Sequence, residues 1–71
     1  MNYEYFIREI GEIAEAKLSA EDEEEMPDLD SFKMLSILAF ADLTFDCRLS
    51  IDELKSCRTL KDLYHRLADK Q

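Results

Sequence analysis

The sequence predicts an all-α fold, a small four-helix bundle with three longer helices, one short one and a long first connection. Three observations carry this. The chain is 71 residues long with a single Gly and a single Pro, too few for a many-turned β architecture. Apolar residues recur at three and four residues in its first and last segments. Ser, Thr and Asp stand where helices should start.

The first helix is expected from about Asn2 to Lys17. Tyr3, Phe6, Ile10, Ile13 and Ala14, with Ile7 beside them, form its apolar face, and Glu4, Arg8, Glu9, Glu12 and Glu15 fall mostly opposite. Gly11 interrupts this pattern at a cost of about 1 kcal/mol relative to Ala, and marks either close packing against another helix or nothing. Between Leu18 and Asp30 the periodicity stops. The acidic run Glu21-Asp22-Glu23-Glu24-Glu25 reads as a solvated loop, since the ligands and central Gly of a calcium loop are not in register. Pro27 holds the residue before it out of the helical region.

The second helix should run from Ser31 to Thr44 or Phe45 with Asp30 as its N-cap. It is apolar over a wide arc. Leu35, Leu38, Ala41 and Phe45 are expected as its core stripe, with Ile37 and Phe40 adjoining, which leaves Phe32, Met34 and Ala39 over. Such a helix is either surrounded by the others or offers part of its surface to a partner. Phe45 to Leu49 reads as a connection whose two ends turn inward. Ser50 with Glu53 forms a capping box before a short helix through about Cys57. Thr59 with Asp62 repeats the device before a last helix to about Asp69, whose inward stripe is Leu60, Leu63, Tyr64 and Leu67.

Charge and thiols bound the function. Seventeen acids against nine bases give a net charge of −8, which repels nucleic acid and anionic membrane surfaces and favours a basic patch on another protein. No apolar run approaches a membrane span and the N-terminus lacks a signal-peptide pattern, so the expectation is a cytoplasmic monomer without membrane insertion. Cys47 and Cys57 should be reduced thiols there. With one histidine, His65, and no Cys-x-x-Cys spacing, no metal site is expected.

Functionally, the informative stretch is Asp28-Leu29-Asp30-Ser31-Phe32-Lys33-Met34-Leu35. A serine at the mouth of a helix meets backbone N–H groups and the positive dipole end, a setting that favours a phosphate or other anion. A hydrolytic serine needs a base, a group to orient that base and an oxyanion site. The sequence supplies none of these near Ser31, so the chain is not expected to be an enzyme. If Ser31 reacts, another enzyme must activate it. Otherwise it caps a helix and nothing more.

The pattern around the serine is more specific than the Asp-Ser pair. An apolar residue follows it, then an apolar helix ending at Phe45-Asp46, a turn to Leu49, a capped short helix and a closing amphipathic helix. Over about Asp28 to Leu67 this arrangement resembles the acyl carrier protein family. Asp30-Ser31-Phe32 is similar to that family's Asp-Ser-Leu attachment motif, and Phe45-Asp46 to the Phe-Asp or Phe-Gly after its second helix.

The resemblance implies a single carrier domain over residues 1–71, a bundle of acyl-carrier type. Ser31 would carry 4′-phosphopantetheine, taken covalently from coenzyme A, and Asp30 would help a phosphopantetheinyl transferase and its magnesium ion engage the site. Phe32, Lys33, Ala39 and Asp42 would meet acyl-loading and acyl-processing enzymes. Leu35, Leu38, Ala41, Leu49, Leu54, Leu63 and Leu67 would line or border an acyl groove. Asp28 stands where the family usually has Gly, and Lys33, Ser36 and Ala39 to Ala41 stand where fatty-acid carriers are acid-rich. Both departures favour a specialised carrier of a lipid or secondary-metabolite pathway. A peptidyl, aryl or D-alanyl carrier is compatible with the same motif. An unmodified helical interaction module is the alternative from a different class.

Overall fold

Each helix of this protein starts on a side chain that takes up an orphan backbone N–H, and the caps set the boundaries of the fold. The structure is a computed structural model that describes residues 2–20 and 24–69. Helix α1 spans Tyr3–Ala14, α2 Ser31–Phe45, α3 Ile51–Ser56 and α4 Leu60–Asp69. Asn2 caps α1 through Oδ1, which accepts the Tyr5 N–H at 2.8 Å. Ser50 and Glu53 form the expected capping box on α3. At α4 the Thr59 Oγ1 accepts the Asp62 N–H at 3.1 Å, and the Asp62 carboxylate accepts the Thr59 N–H at 3.3 Å.

Helix α1 stops three residues earlier than its periodicity predicts. Glu15 adopts the left-handed conformation at φ 55°, and its N–H and that of Ala16 both turn back to the Gly11 carbonyl, the latter at 3.0 Å. This ending also explains Gly11. A Cβ at that position would lie 2.9 Å from the Ala16 carbonyl oxygen, so the close approach is made by the chain's own return and not by another helix. Helix α2 ends by the same device. Asp46 is left-handed at φ 52°, its N–H meets the Ala41 carbonyl, and the Cys47 N–H follows at 3.4 Å. Asp tolerates this conformation better than most residues, whereas Glu is an uncommon occupant.

The long first connection is held down at both ends of its described parts. Leu18, Met26 and Leu29 pack against the core. Glu25 forms an isolated antiparallel bridge with Thr59, flanked by hydrogen bonds from Leu60 N–H to the Glu24 carbonyl at 2.9 Å and from Met26 N–H to the Arg58 carbonyl at 3.3 Å. Glu24 also accepts from the Ser19 hydroxyl and N–H. Of the acidic run expected as a loop, Glu21, Asp22 and Glu23 lie outside the described residues.

The result is a small, mostly helical compact globule, and among the described residues no strand forms. Helix α2 packs on each of the other three, and α1 also meets α4. Phe6, Ile10, Ile37, Leu54, Leu60, Leu63 and Leu67 are completely enclosed. Phe6 is the centre of an aromatic cluster with Tyr3, Phe40, Phe45 and Tyr64.

One core assignment needs correcting. Leu35 is 57% exposed, and the stripe that α2 buries is Ile37, Ala41 and Phe45, with Met34, Leu38 and Phe40 half-buried around it. The helix is apolar on nearly every side, so spacing alone permits more than one face to turn inward; contacts with the other three helices select the one that does.

Substitutions at the end of α1 test its geometry. Gly11→Ala gains helix propensity, yet it should cost about 1 kcal/mol net because the added methyl displaces the returning backbone. Glu15→Gly should stabilise by about 1 kcal/mol through relief of the left-handed conformation. Urea unfolding reads both, and a stabilised Gly11→Ala protein would contradict this reading.

Candidate functional site

Ser31 is the first residue of the longest helix, and it is exposed. Asp30 sits before it in an extended conformation and its Oδ1 accepts the Lys33 N–H at 2.8 Å. With the third N–H of the helix taken by Asp30, those of Ser31 and Phe32 remain as first-turn donors that an α-helix leaves without internal acceptors. A serine hydroxyl, two outward N–H groups and the helix dipole therefore converge at one mouth, which suits a phosphate bonded to the serine. Two exposed acids, Asp28 and Asp30, stand on its approach.

His65 is exposed on α4, and among the described residues no side chain hydrogen-bonds the Ser31 hydroxyl. Among the described residues there is also no group of three or more His, Cys, Asp or Glu side chains placed to hold a metal ion. No described helix is long and apolar enough to cross a membrane.

Lys33 works within the fold. Its Nζ donates to the Ala14 carbonyl at 3.1 Å, so a cation from the first turn of α2 meets the negative end of α1. Phe32, Ala39 and Asp42 are exposed on α2. Phe32 at 76%, Leu35 at 57% and Leu43 at 86% are among the few large apolar side chains left in solvent. At 100° per residue, Phe32, Leu35, Ala39 and Leu43 fall on one stripe opposite Ile37, Ala41 and Phe45. Sequence reading singled out Phe32 and Ala39 but missed Leu43; the spacing from Phe32 through Ala39 to Leu43 carried the signal.

A second feature is lined by residues close to the serine in sequence. Met26, Leu29, Met34, Leu54 and Cys57, with Pro27 and Lys55, line a cleft of about 230 Å³ between the first connection, the start of α2 and α3. Of the seven residues expected at an acyl groove, Leu54 borders this cleft. Ala41, Leu63 and Leu67 are enclosed in the core, Leu49 is buried, Leu38 is half-buried and Leu35 points to solvent. Burial pushes the Cys57 thiol above the ordinary range; Arg66 opposes this, and Asp62 and Glu53 reinforce it. Cys57 Sγ donates to the Glu53 carbonyl. Both cysteines are free thiols.

Comparison with family models, with curated proteins and with solved structures finds no match to this chain.

The tie between α1 and α2 is open to test. Lys33→Met keeps the aliphatic stem but removes the donor, and should cost about 1 kcal/mol. Amide exchange should quicken at Glu15 and Ala16 and stay unchanged in α4. Unchanged exchange at both residues would show that the bond holds nothing in place.

Proposed function

We propose that the chain is a carrier protein of the acyl-carrier type, modified on Ser31 with 4′-phosphopantetheine and serving other enzymes as a mobile attachment point. The observation that carries this reading is an exposed Ser31 at the mouth of α2, fixed there by Asp30, with no side chain hydrogen-bonded to its hydroxyl among the described residues. The hydroxyl is presented, and its activation is left to a partner. The Asp46 geometry gives further support. A Phe-Asp or Phe-Gly pair after this helix makes physical sense where the residue following Phe45 must be left-handed, a conformation that Gly and Asp accept more readily than most.

In this reading Ser31 Oγ gives its proton to the transferase and takes the phosphoryl end of the arm from coenzyme A, while the nucleotide leaves. The bound arm supplies a thiol for thioester formation. Asp30 has two duties that oppose each other: its carboxylate caps α2 and also adds negative charge beside the phosphate, which a magnesium ion on the transferase offsets. The first-turn N–H groups of Ser31 and Phe32 favour the phosphodiester once it is made. The exposed Phe32, Leu35, Ala39 and Leu43 give docking enzymes an apolar surface, with Asp42 beside it for a basic partner. This thinly acidic face suits a specialised carrier.

The same apolar stripe favours a second reading, an unmodified helical module that holds a partner. A stoichiometric complex that survives Ser31→Ala, with no modified form in the cell, would support it.

Incubation with coenzyme A and a promiscuous phosphopantetheinyl transferase should raise the intact mass by one arm, and Ser31→Ala should abolish the gain. Asn caps a helix about as well as Asp. Asp30→Asn should therefore leave the unfolding midpoint unchanged while slowing transfer by about 10-fold or more, the scale of losing a carboxylate that supports a metal. No mass gain, or a gain that persists in Ser31→Ala, would overturn the carrier reading.

A further inference from the structure

We infer that the cleft between the end of α3 and the outer face of α4 binds the phosphate group of a small phosphorylated metabolite, held by Arg58, His65 and Arg66. This goes beyond the carrier reading, and neither depends on the other. Asp62, His65, Arg66 and Asp69 recur at three and four residues, so they share the face of α4 opposite the enclosed Leu60, Leu63 and Leu67. Arg58 stands one turn ahead of them in the chain, and the buried Cys57 also lines the cleft, whose volume is about 480 Å³. A chain of net charge −8 thus gathers its single histidine and two arginines at one place.

The donors there are available. Among the described residues the Arg58 guanidinium has no hydrogen-bond or ion-pair partner. Arg66 meets Glu53 only at its edge, Nη1 to Oε2 at 3.7 Å, which leaves its other N–H groups for a ligand. The nearest acid is engaged elsewhere: Asp62 Oδ2 accepts the N–H groups of Arg58 and Thr59, each at 3.3 Å. Asp69 ends α4 one turn beyond His65, where it can accept from a ligand hydroxyl. A phosphate monoester is largely dianionic at pH 7 and presents three terminal oxygens, one for each of the three donor side chains; a carboxylate presents two. The phosphate needs only about 60 Å³, the share of two waters in the liquid, so an organic portion the size of a six-carbon ring fits beside it. Large anions are disfavoured. The acids over the rest of the surface repel a nucleic acid or an anionic membrane, whereas a small ester lies within a Debye length, about 8 Å, of the cleft's own cations.

Titration of ¹⁵N-labelled protein with glucose-6-phosphate at pH 7 and constant ionic strength tests the site. Signals of Arg58, Asp62, His65 and Arg66 should shift together and saturate, with half-saturation at about 1 mM or below. Arg58→Gln and Arg66→Gln should each weaken binding by about 10-fold, the scale of one charge-assisted hydrogen bond. Arg48→Gln removes the same charge from the exposed connection between α2 and α3 and should change nothing. Shifts that stay linear to about 20 mM, or an equal loss in Arg48→Gln, would overturn the site. Three comparisons test the ligand. Acetate or inorganic phosphate that binds as tightly as the sugar phosphate would overturn the ester, and sedimentation of the protein with phosphatidic acid vesicles would overturn the small metabolite in favour of a lipid headgroup.

Discussion

The 2.8 Å hydrogen bond from the Lys33 N–H to the Asp30 carboxylate decides where α2 begins, and much else follows from that start. It makes Ser31 the first helical residue, the position from which a side chain leaves the helix mouth with the least obstruction. Contacts with the other three helices then fix the phase of the helix. With Ser31 placed there, Ile37, Ala41 and Phe45 turn to the core, and Phe32, Leu35, Ala39 and Leu43 turn to water. The same lysine whose backbone is capped sends its ammonium to the Ala14 carbonyl, so one residue joins the end of α1 to the beginning of α2. The candidate site and the scaffold are coupled through the four residues from Asp30 to Lys33.

A chain of this size has little apolar area to bury and needs nearly all of it for the core. Large side chains left in solvent on the central helix therefore stand out against expectation. They contribute little to folding, since α2 already faces the other helices with a complete stripe. A surface kept apolar without benefit to stability is more readily understood as contact area for other molecules. A net charge of −8 discourages self-association.

Much of the fold was legible in the sequence because helix ends are written in short-range chemistry. Asp30, Ser50 with Glu53, and Thr59 with Asp62 each bond to backbone within three residues, and each marks a true start. The end of α1 was not legible, since Glu15 adopts a conformation that sequence reading reserves for Gly or Asn. The bridge between Glu25 and Thr59 joins residues far apart in the chain and leaves no periodic trace. The inward face of α2 was legible in part: Ala41 and Phe45 are buried as expected, but a helix apolar on nearly every side has little pattern to read, so Leu35 could pass for a core residue. The Asp30 cap, with Ser31 as the first helical residue, was legible because it depends on local order. The cleft was not found, because Met26, Met34 and Cys57 meet only once three elements have packed.

The measurement that bears most directly on the role of Ser31 is the intact mass of the protein isolated gently from its own cells, with and without hydroxylamine. A carrier gives a mass raised by an arm on Ser31, with part of the population heavier still by a cargo that hydroxylamine releases as a thioester should. A single mass equal to that of the bare chain under every growth condition would contradict it.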